Sequence, residues 1–198
     1  MEILETAHPY YLLVRNFYTP DELELIQQEL AFLNHKHKMR SPESTGQQNP
    51  MMKKNKGIFL DEVYANRGMS NILKINRKVF SAPVFKAFAE KHILNRSVFS
   101  ANKDTTLVSY YETSDHYKPH ADNALVTALS WHFFQPQQFT GGDLVFTDLD
   151  ETILVENNML LMFHSCLRHG VTPVKLRDGV EADKGMGRYC LSNFMNIS

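Results

Sequence analysis

Apolar positions follow two different periods along this chain. In the N-terminal half, Leu23, Ile26, Leu30 and Leu33 recur at the three-to-four-residue spacing of one helix face. The residues just before them, Thr19-Pro20-Asp21-Glu22, carry a helix start: Thr19 can cap, Pro20 suits the first helical position, and Glu22 completes a capping box. The pattern predicts a helix that ends near Asn34, preceded by a short strand over Tyr11–Phe17. A further strand is predicted over Gly57–Val63, and two short helices over Ser70–Phe80 and Pro83–His92. Ile72, Ile75 and Val79, then Val84, Phe85 and Phe88, give those helices an apolar side that would pack on the outside of a sheet.

From Thr106 the texture changes to short β-rich runs separated by turn signals. They read TLVSYY, HYKPHAD, LVTALSWHFF, GGDLVFTD, ETILV, MLLMFH, GVTPVKL and RYCLSNFM, with Gly141-Gly142 and Asn157-Asn158 at turns. Eight closely spaced strands predict a mainly β sandwich or jelly roll with flanking helices. The division this suggests is a strand-and-helix region over 1–105 packed on a core over 106–198, together one compact domain.

Composition narrows the function. Hydrophobic residues make up 43% and charged residues 22%, which fits an ordinary globular chain and not a disordered one. A net charge of −1 provides no global field for nucleic acid or an anionic membrane, so a nucleic-acid partner is disfavoured. No apolar stretch approaches the length of a membrane span, and the N-terminus lacks the basic start and apolar run of a secretory signal. Two cysteines, Cys166 and Cys190, do not make a disulfide framework, which suits a reducing cytoplasm. One local exception to the even charge is His35–Gly57. There Lys36, Lys38, Arg40, Lys53, Lys54 and Lys56 face a single acid, Glu43. A solvated loop is the ordinary reading of such a run. A mobile lid over an anionic substrate is the sharper one.

The candidate chemistry lies in HYKPHADN, His116–Asn123. Residues two apart on a strand share a face, so His120 and Asp122 are expected to point the same way. An imidazole beside a carboxylate suits a divalent transition metal, but two ligands hold it weakly, and a paired surface His and Asp is the commoner origin of such a spacing. A third ligand would complete the two-histidine, one-carboxylate set of non-haem iron sites. The downstream histidines are His132, His164 and His169. His132 lies inside a strand pattern and reads as core or cleft, His164 ends a strand, and His169 follows a loop. In the last run, Arg188, Cys190, Ser192 and Phe194 share one face, while Tyr189, Leu191 and Met195 face the other way. A guanidinium on the inner face of a β sandwich is costly unless an anion meets it. An internal Arg–Asp pair would satisfy it, and so would a bound carboxylate.

In this order YETSDHYKPHAD, TGGDLVF, MLLMFHSCLRHGVTPV and GRYCLSNFM resemble the Fe(II)- and 2-oxoglutarate-dependent dioxygenases, most closely their prolyl-4-hydroxylase-like branch. The resemblance spans Leu107–Met195, and VRNFYTPDELELIQQEL is similar to the opening of that branch. It implies a double-stranded β-helix, a cupin-like jelly roll, with His120, Asp122 and His169 as metal ligands. It implies Arg188 as the anchor of the far carboxylate of 2-oxoglutarate, with Ser192 and Tyr111 as helpers, Tyr110 being the rival of Tyr111. Tyr117 is implied to be structural and His116 to lie outside the site. Fe(II), 2-oxoglutarate and O₂ are the implied reactants, with ascorbate as a candidate reductant, and no catalytic residue is implied beyond the metal site. The implied reaction couples conversion of 2-oxoglutarate to succinate with hydroxylation of a C–H bond in a small-molecule or peptide substrate, a prolyl ring first.

This chain also departs from the family pattern. Ser114 stands where glycine is common, and Trp131 where some members use a tyrosine, leaving Ser130 or His132 to replace its hydroxyl. The segment Lys175–Gly187 is long, and Asp178-Gly179 suggests that a hairpin absorbs the extra length. The competing readings are a nucleic-acid or other small-molecule oxygenase of the same superfamily, a non-oxygenase cupin-like metal enzyme such as an isomerase, and a binding module with a relict site.

Overall fold

The structure is a computed structural model that describes residues 1–198 except 47, 48 and 50. The N-terminal half runs β1 (Glu2–Ile3), β2 (Tyr11–Arg15), α1 (Pro20–His35), β3 (Lys53–Lys54), β4 (Lys56–Phe59), α2 (Leu60–Val63), α3 (Asn71–Ile75) and α4 (Ala82–Lys91). The second half is almost entirely strand: β5 (Lys103–Tyr111), β6 (His116–His120), β7 (Val126–His132), β8 (Phe139–Gly141), β9 (Leu144–Phe146), β10 (Glu151–Ile153), β11 (Met159–His164), β12 (His169–Val171), β13 (Val174–Leu176) and β14 (Arg188–Asn196). Helix α1 starts as the sequence predicts. Thr19 accepts from the Glu22 amide, and the Glu22 side chain accepts from the Thr19 amide.

Two antiparallel sheets make the jelly roll. The larger has the order β1-β2-β11-β7-β14-β5-β4 and the smaller β10-β9-β12-β6-β3, while β13 and β8 form a separate pair. Alternation on β14 assigns its residues to two layers. Tyr189, Leu191 and Met195 join Leu12, Val14, Ile26, Leu30, Leu33, Ile72 and Phe88 in a core between the large sheet and the helices. Cys190 joins Tyr11, Leu129, Trp131, Phe146, Leu161 and Phe163 between the sheets. Each large side chain buried in these layers contributes about 1.5–3 kcal/mol, so the helices and the small sheet clamp the central strands β7 and β14 from both faces.

Several local expectations are corrected. The strand predicted over Gly57–Val63 stops at Phe59, and Leu60–Val63 turns into α2. The helix predicted over Ser70–Phe80 is α3 followed by a 3₁₀ stretch, Asn76–Phe80. No hairpin forms between Lys175 and Arg188. Instead β13 pairs with β8, and β14 pairs with β5 and β7, so the intervening segment is a crossing loop. Among its described residues, the segment His35–Gly57 is tied to the sheets at its C-terminal end. It ends in β3, which pairs with β6, and in β4, which pairs with β5. Lys53 is buried there. A one-residue alternation puts Trp131 between the sheets, so Ser130 and His132 face the opposite layer, where the His132 ring lies 5.6 Å from Tyr18. Neither can replace a hydroxyl between the sheets.

His132 is buried, with Nε2 3.0 Å from the Ser130 hydroxyl, and burial pushes its pKa down to about 3. The unfolded chain takes up its proton near pH 6.5. Between these values the unfolded state binds more protons, so stability falls as pH falls below about 6.5, by about 1.4 kcal/mol per unit. Urea unfolding at pH 7.5 and pH 5 checks this. The wild type is expected to lose about 2 kcal/mol more than His132→Gln over that interval, and equal losses would show that His132 titrates normally.

Candidate active site

The small sheet brings two histidines together by pairing. His120 is the last residue of β6, His169 the first of β12, and the two are cross-strand partners. The pairing requires glycine at 170, because a Cβ there would lie 2.9 Å from the Tyr117 carbonyl oxygen. Asp122 lies beyond the strand and not on it, which corrects the pleat argument made from spacing. A backbone hydrogen bond from the Asp122 amide to the Ser165 carbonyl, 2.9 Å, holds it in place instead. One side-chain ligand atom from each of His120, Asp122 and His169 lies within 4.8 Å of the others. Nε2 of His120 is 3.4 Å and Nε2 of His169 3.5 Å from the Asp122 carboxylate.

Both rings are oriented from behind. Nδ1 of His120 lies 3.0 Å from the Lys118 carbonyl, and Nδ1 of His169 lies 2.9 Å from the Leu167 carbonyl. A carbonyl only accepts, so each Nδ1 carries the proton and each Nε2 presents a lone pair to the common centre. Tyr117 stacks on His120 at 3.5 Å between ring centroids, and Phe163 meets His169 edge-on at 4.7 Å. The Thr127 hydroxyl bonds Asp122 Oδ2 at 2.7 Å. Burial pushes the Asp122 carboxyl up, but the facing His120 and His169 side chains and the Thr127 hydroxyl together outweigh it and hold the group below the usual range. Burial lowers the His169 pKa, opposed by Asp122, so its neutral form is favoured. A carboxylate and two imidazoles converging on one point form a donor set for a divalent metal.

The remaining expected residues line the same cavity. Arg188, Ser192, Tyr111 and Cys190 face it beside the three ligands, together with Lys53, Leu107, Ser109 and Tyr117. Tyr111 sits opposite Arg188 and lines the cavity, while Tyr110 points into the helix-side core and donates to Glu112 at 2.6 Å. Arg188 is 1% exposed, and among the described residues none of its three side-chain nitrogens has a hydrogen-bond partner and no internal Arg–Asp pair forms. Its guanidinium carbon lies 4.9 Å from the Tyr111 ring and 5.9 Å from the Trp131 ring. Gly142 makes room for it: a Cβ there would come within 2.8 Å of Arg188 Cδ, and the residue has φ +77°. Cys190, beside Arg188, has its pKa raised by burial.

Residues 106–196 match the model of the 2OG-Fe(II) oxygenase superfamily. The match covers the C-terminal part of the chain, and it is to the superfamily that these residues resemble. The matched span holds the three converging ligands and Arg188, and its double-sheet fold is the one the resemblance implies. Solved structures of similar fold include a prolyl-4-hydroxylase of Pseudomonas putida, 15% identical with a TM-score of 0.67, covering 96% of this chain and 94% of that one. A prolyl hydroxylase of Trichoplax adhaerens, solved with a hypoxia-inducible-factor peptide fragment, is 15% identical with a TM-score of 0.62, covering 95% and 84%. A non-heme α-ketoglutarate-dependent epimerase of nogalamycin biosynthesis is 12% identical with a TM-score of 0.57, covering 94% and 78%. No curated protein matches the chain. As an oxygenase-superfamily core, the matched span takes Fe(II), 2-oxoglutarate and O₂ as reactants.

His116 and His164 do not line this cavity. His116 bonds the Ser114 carbonyl at 3.0 Å through Nδ1, and His164 packs its ring 5.9 Å from Phe88 of α4. Lys53 is the residue that the sequence alone hid. It lies outside the matched span, is 2% exposed, and donates to Thr45 Oγ1 at 2.9 Å. Its ammonium sits 5.0 Å over the Tyr117 ring. Burial pushes its pKa down to about 8, against the pull of Asp122, so it remains mainly protonated at neutral pH. Burial alternates along this stretch: Lys53 and Asn55 are buried while Lys54 between them is exposed.

Proposed function

We propose that this chain is a 2-oxoglutarate-dependent hydroxylase in which His120, Asp122 and His169 hold Fe(II) and Arg188 anchors the far carboxylate of 2-oxoglutarate. The observation that carries the assignment is the buried Arg188 guanidinium, without a hydrogen-bond partner among the described residues, facing the same cavity as three converging ligand atoms. A planar fork of donors suits a carboxylate, and an anion is what a buried cation lacks. When bound, the iron supplies oxygen activation coupled to conversion of 2-oxoglutarate to succinate. The chain's own residues orient and exclude. Lys118 and Leu167 carbonyls fix the imidazole tautomers, Thr127 orients the carboxylate, and Ser192 and the Tyr111 hydroxyl flank the cosubstrate beside Arg188. Burial raises the Tyr111 pKa, so its phenol stays a neutral donor.

The substrate we favour is a small molecule or peptide, oxidised at an unactivated C–H bond of the prolyl type. The prolyl preference draws on fold likeness to two prolyl hydroxylases. A non-oxygenase cupin-like enzyme would have no use for Arg188, and a nucleic-acid substrate gains nothing from the net charge of −1. With Cys166 and Cys190 both free, a reducing cytoplasmic setting suits the protein. Among the described residues, no helix is long and apolar enough to cross a membrane.

Succinate release from 2-oxoglutarate, with and without Fe(II), tests the proposal. Iron-dependent succinate is expected, increasing with a true substrate, and its absence under both conditions would refute the reading. A finer test lies in Thr127→Val, which removes the hydroxyl behind Asp122 and keeps the shape. Its metal affinity is expected to fall about 10–100-fold, and an unchanged affinity in a metal titration would mean that Thr127 orients nothing.

A further inference from the structure

The cavity contains a second buried cation. Lys53 and Arg188 both line it, and among the described lining residues Asp122 is the only acid. The two cations act on different neighbours. Asp122 is the charge felt by Lys53, whereas Tyr111 and Cys190 respond to Arg188. Lys53 also comes from a separate element: β3 is joined to the edge of the small sheet through Tyr117 and His116, away from β14 and β5, which carry Arg188 and Tyr111. Its recorded hydrogen-bond partners, Thr45 Oγ1 at 2.9 Å and the Thr45 carbonyl at 3.4 Å, are both neutral.

Charge balance shows what is missing. This step rests on the function proposed above. Fe(II) brings two positive charges, Asp122 removes one, Arg188 adds one, and 2-oxoglutarate brings two negative charges, so these four cancel. Lys53 then leaves one uncompensated positive charge in a buried site, which is costly until an anion meets it. A carboxylate carries one negative charge and balances it, whereas a phosphate monoester carries nearly two at neutral pH and overshoots.

We propose that Lys53 determines specificity by receiving a carboxylate of the substrate itself, and that the substrate is therefore a small amino or imino acid with a free carboxylate and not an internal residue of a peptide. Tyr117 supports this placement, since its ring lies under the Lys53 ammonium and stacks on His120. A carboxylate held at Lys53 places the attached carbon skeleton beside the metal ligands. Thr45 holds the ammonium in place from the other side.

Thermal shift tests this on the protein loaded with Zn(II), an inert stand-in, and 2-oxoglutarate. The probes are matched pairs, L-proline against L-prolinamide and other free amino acids against their primary amides, applied to wild type, Lys53→Met and Lys53→Arg. The expected result is that at least one free acid raises the wild-type Tm while its amide does not, that Lys53→Met loses this discrimination at least tenfold in apparent affinity, and that Lys53→Arg restores it. No acid-over-amide preference in any wild-type pair, or a preference kept by Lys53→Met, would overturn the proposal. So would a Lys53→Met variant that loses the shift given by 2-oxoglutarate itself, since Lys53 would then belong to the cosubstrate. The underlying oxygenase reading fails separately, if 2-oxoglutarate gives no metal-dependent shift in the wild type.

Discussion

Alanine at His120, Asp122 or His169 is expected to lower 2-oxoglutarate turnover by more than about a hundredfold, since even loss of a residue behind a ligand costs about 10–100-fold in metal affinity or activity. The fold is expected to survive each change. All three side chains face the cavity, and those of His120 and Asp122 keep 15% and 11% of their surface exposed. Circular dichroism should therefore stay unchanged while metal titration and succinate release collapse. Removing His116 or His164 provides the contrast, because neither reaches the cavity. Loss of metal binding in either of those variants, with retention in the triad variants, would move the site.

The second large effect concerns Arg188 and has two opposite signs. Loss of a buried charge-assisted pair costs about 2–5 kcal/mol, so Arg188→Met is expected to weaken 2-oxoglutarate binding roughly 30- to 5,000-fold. Without cosubstrate the same variant is expected to be at least as stable as wild type, because it replaces a buried guanidinium that has no hydrogen-bond partner among the described residues by an apolar side chain of similar length. A merely structural arginine would behave in the reverse way, with a lower Tm and an unchanged cosubstrate affinity. Isothermal titration with Fe(II) replaced by an inert metal, together with thermal melts of the ligand-free protein, separates the two.

The parts of this protein that depend on local pattern were legible in its sequence. The capping box at Thr19 and Glu22, the helical spacing of Leu23, Ile26, Leu30 and Leu33, and the alternation that turns Arg188, Cys190 and Ser192 inward are all short-range features. What depends on pairing between distant strands was not. His169 could not be chosen over His164 from spacing alone, because the choice rests on β12 lying against β6. Tyr111 could not be separated from Tyr110 until the register opposite Arg188 was known. Lys53 looked like one more charge in a basic loop, and only the β3–β6 pairing turns it inward. Asp122 comes beside His120 through a loop hydrogen bond to Ser165 and not through the strand alternation that the spacing suggests. Lys175–Gly187 misled in the same way, since the turn at Asp178-Gly179 exists but the strands around it pair elsewhere.

A crystal grown anaerobically with Fe(II) and 2-oxoglutarate tests the central claim most directly. Anomalous scattering at the iron edge is expected to place one metal at bonding distance from Nε2 of His120, Nε2 of His169 and an oxygen of Asp122. The far carboxylate of 2-oxoglutarate is expected on the Arg188 guanidinium. Iron bound by any other set of side chains, or 2-oxoglutarate with its far carboxylate away from Arg188, would contradict the account.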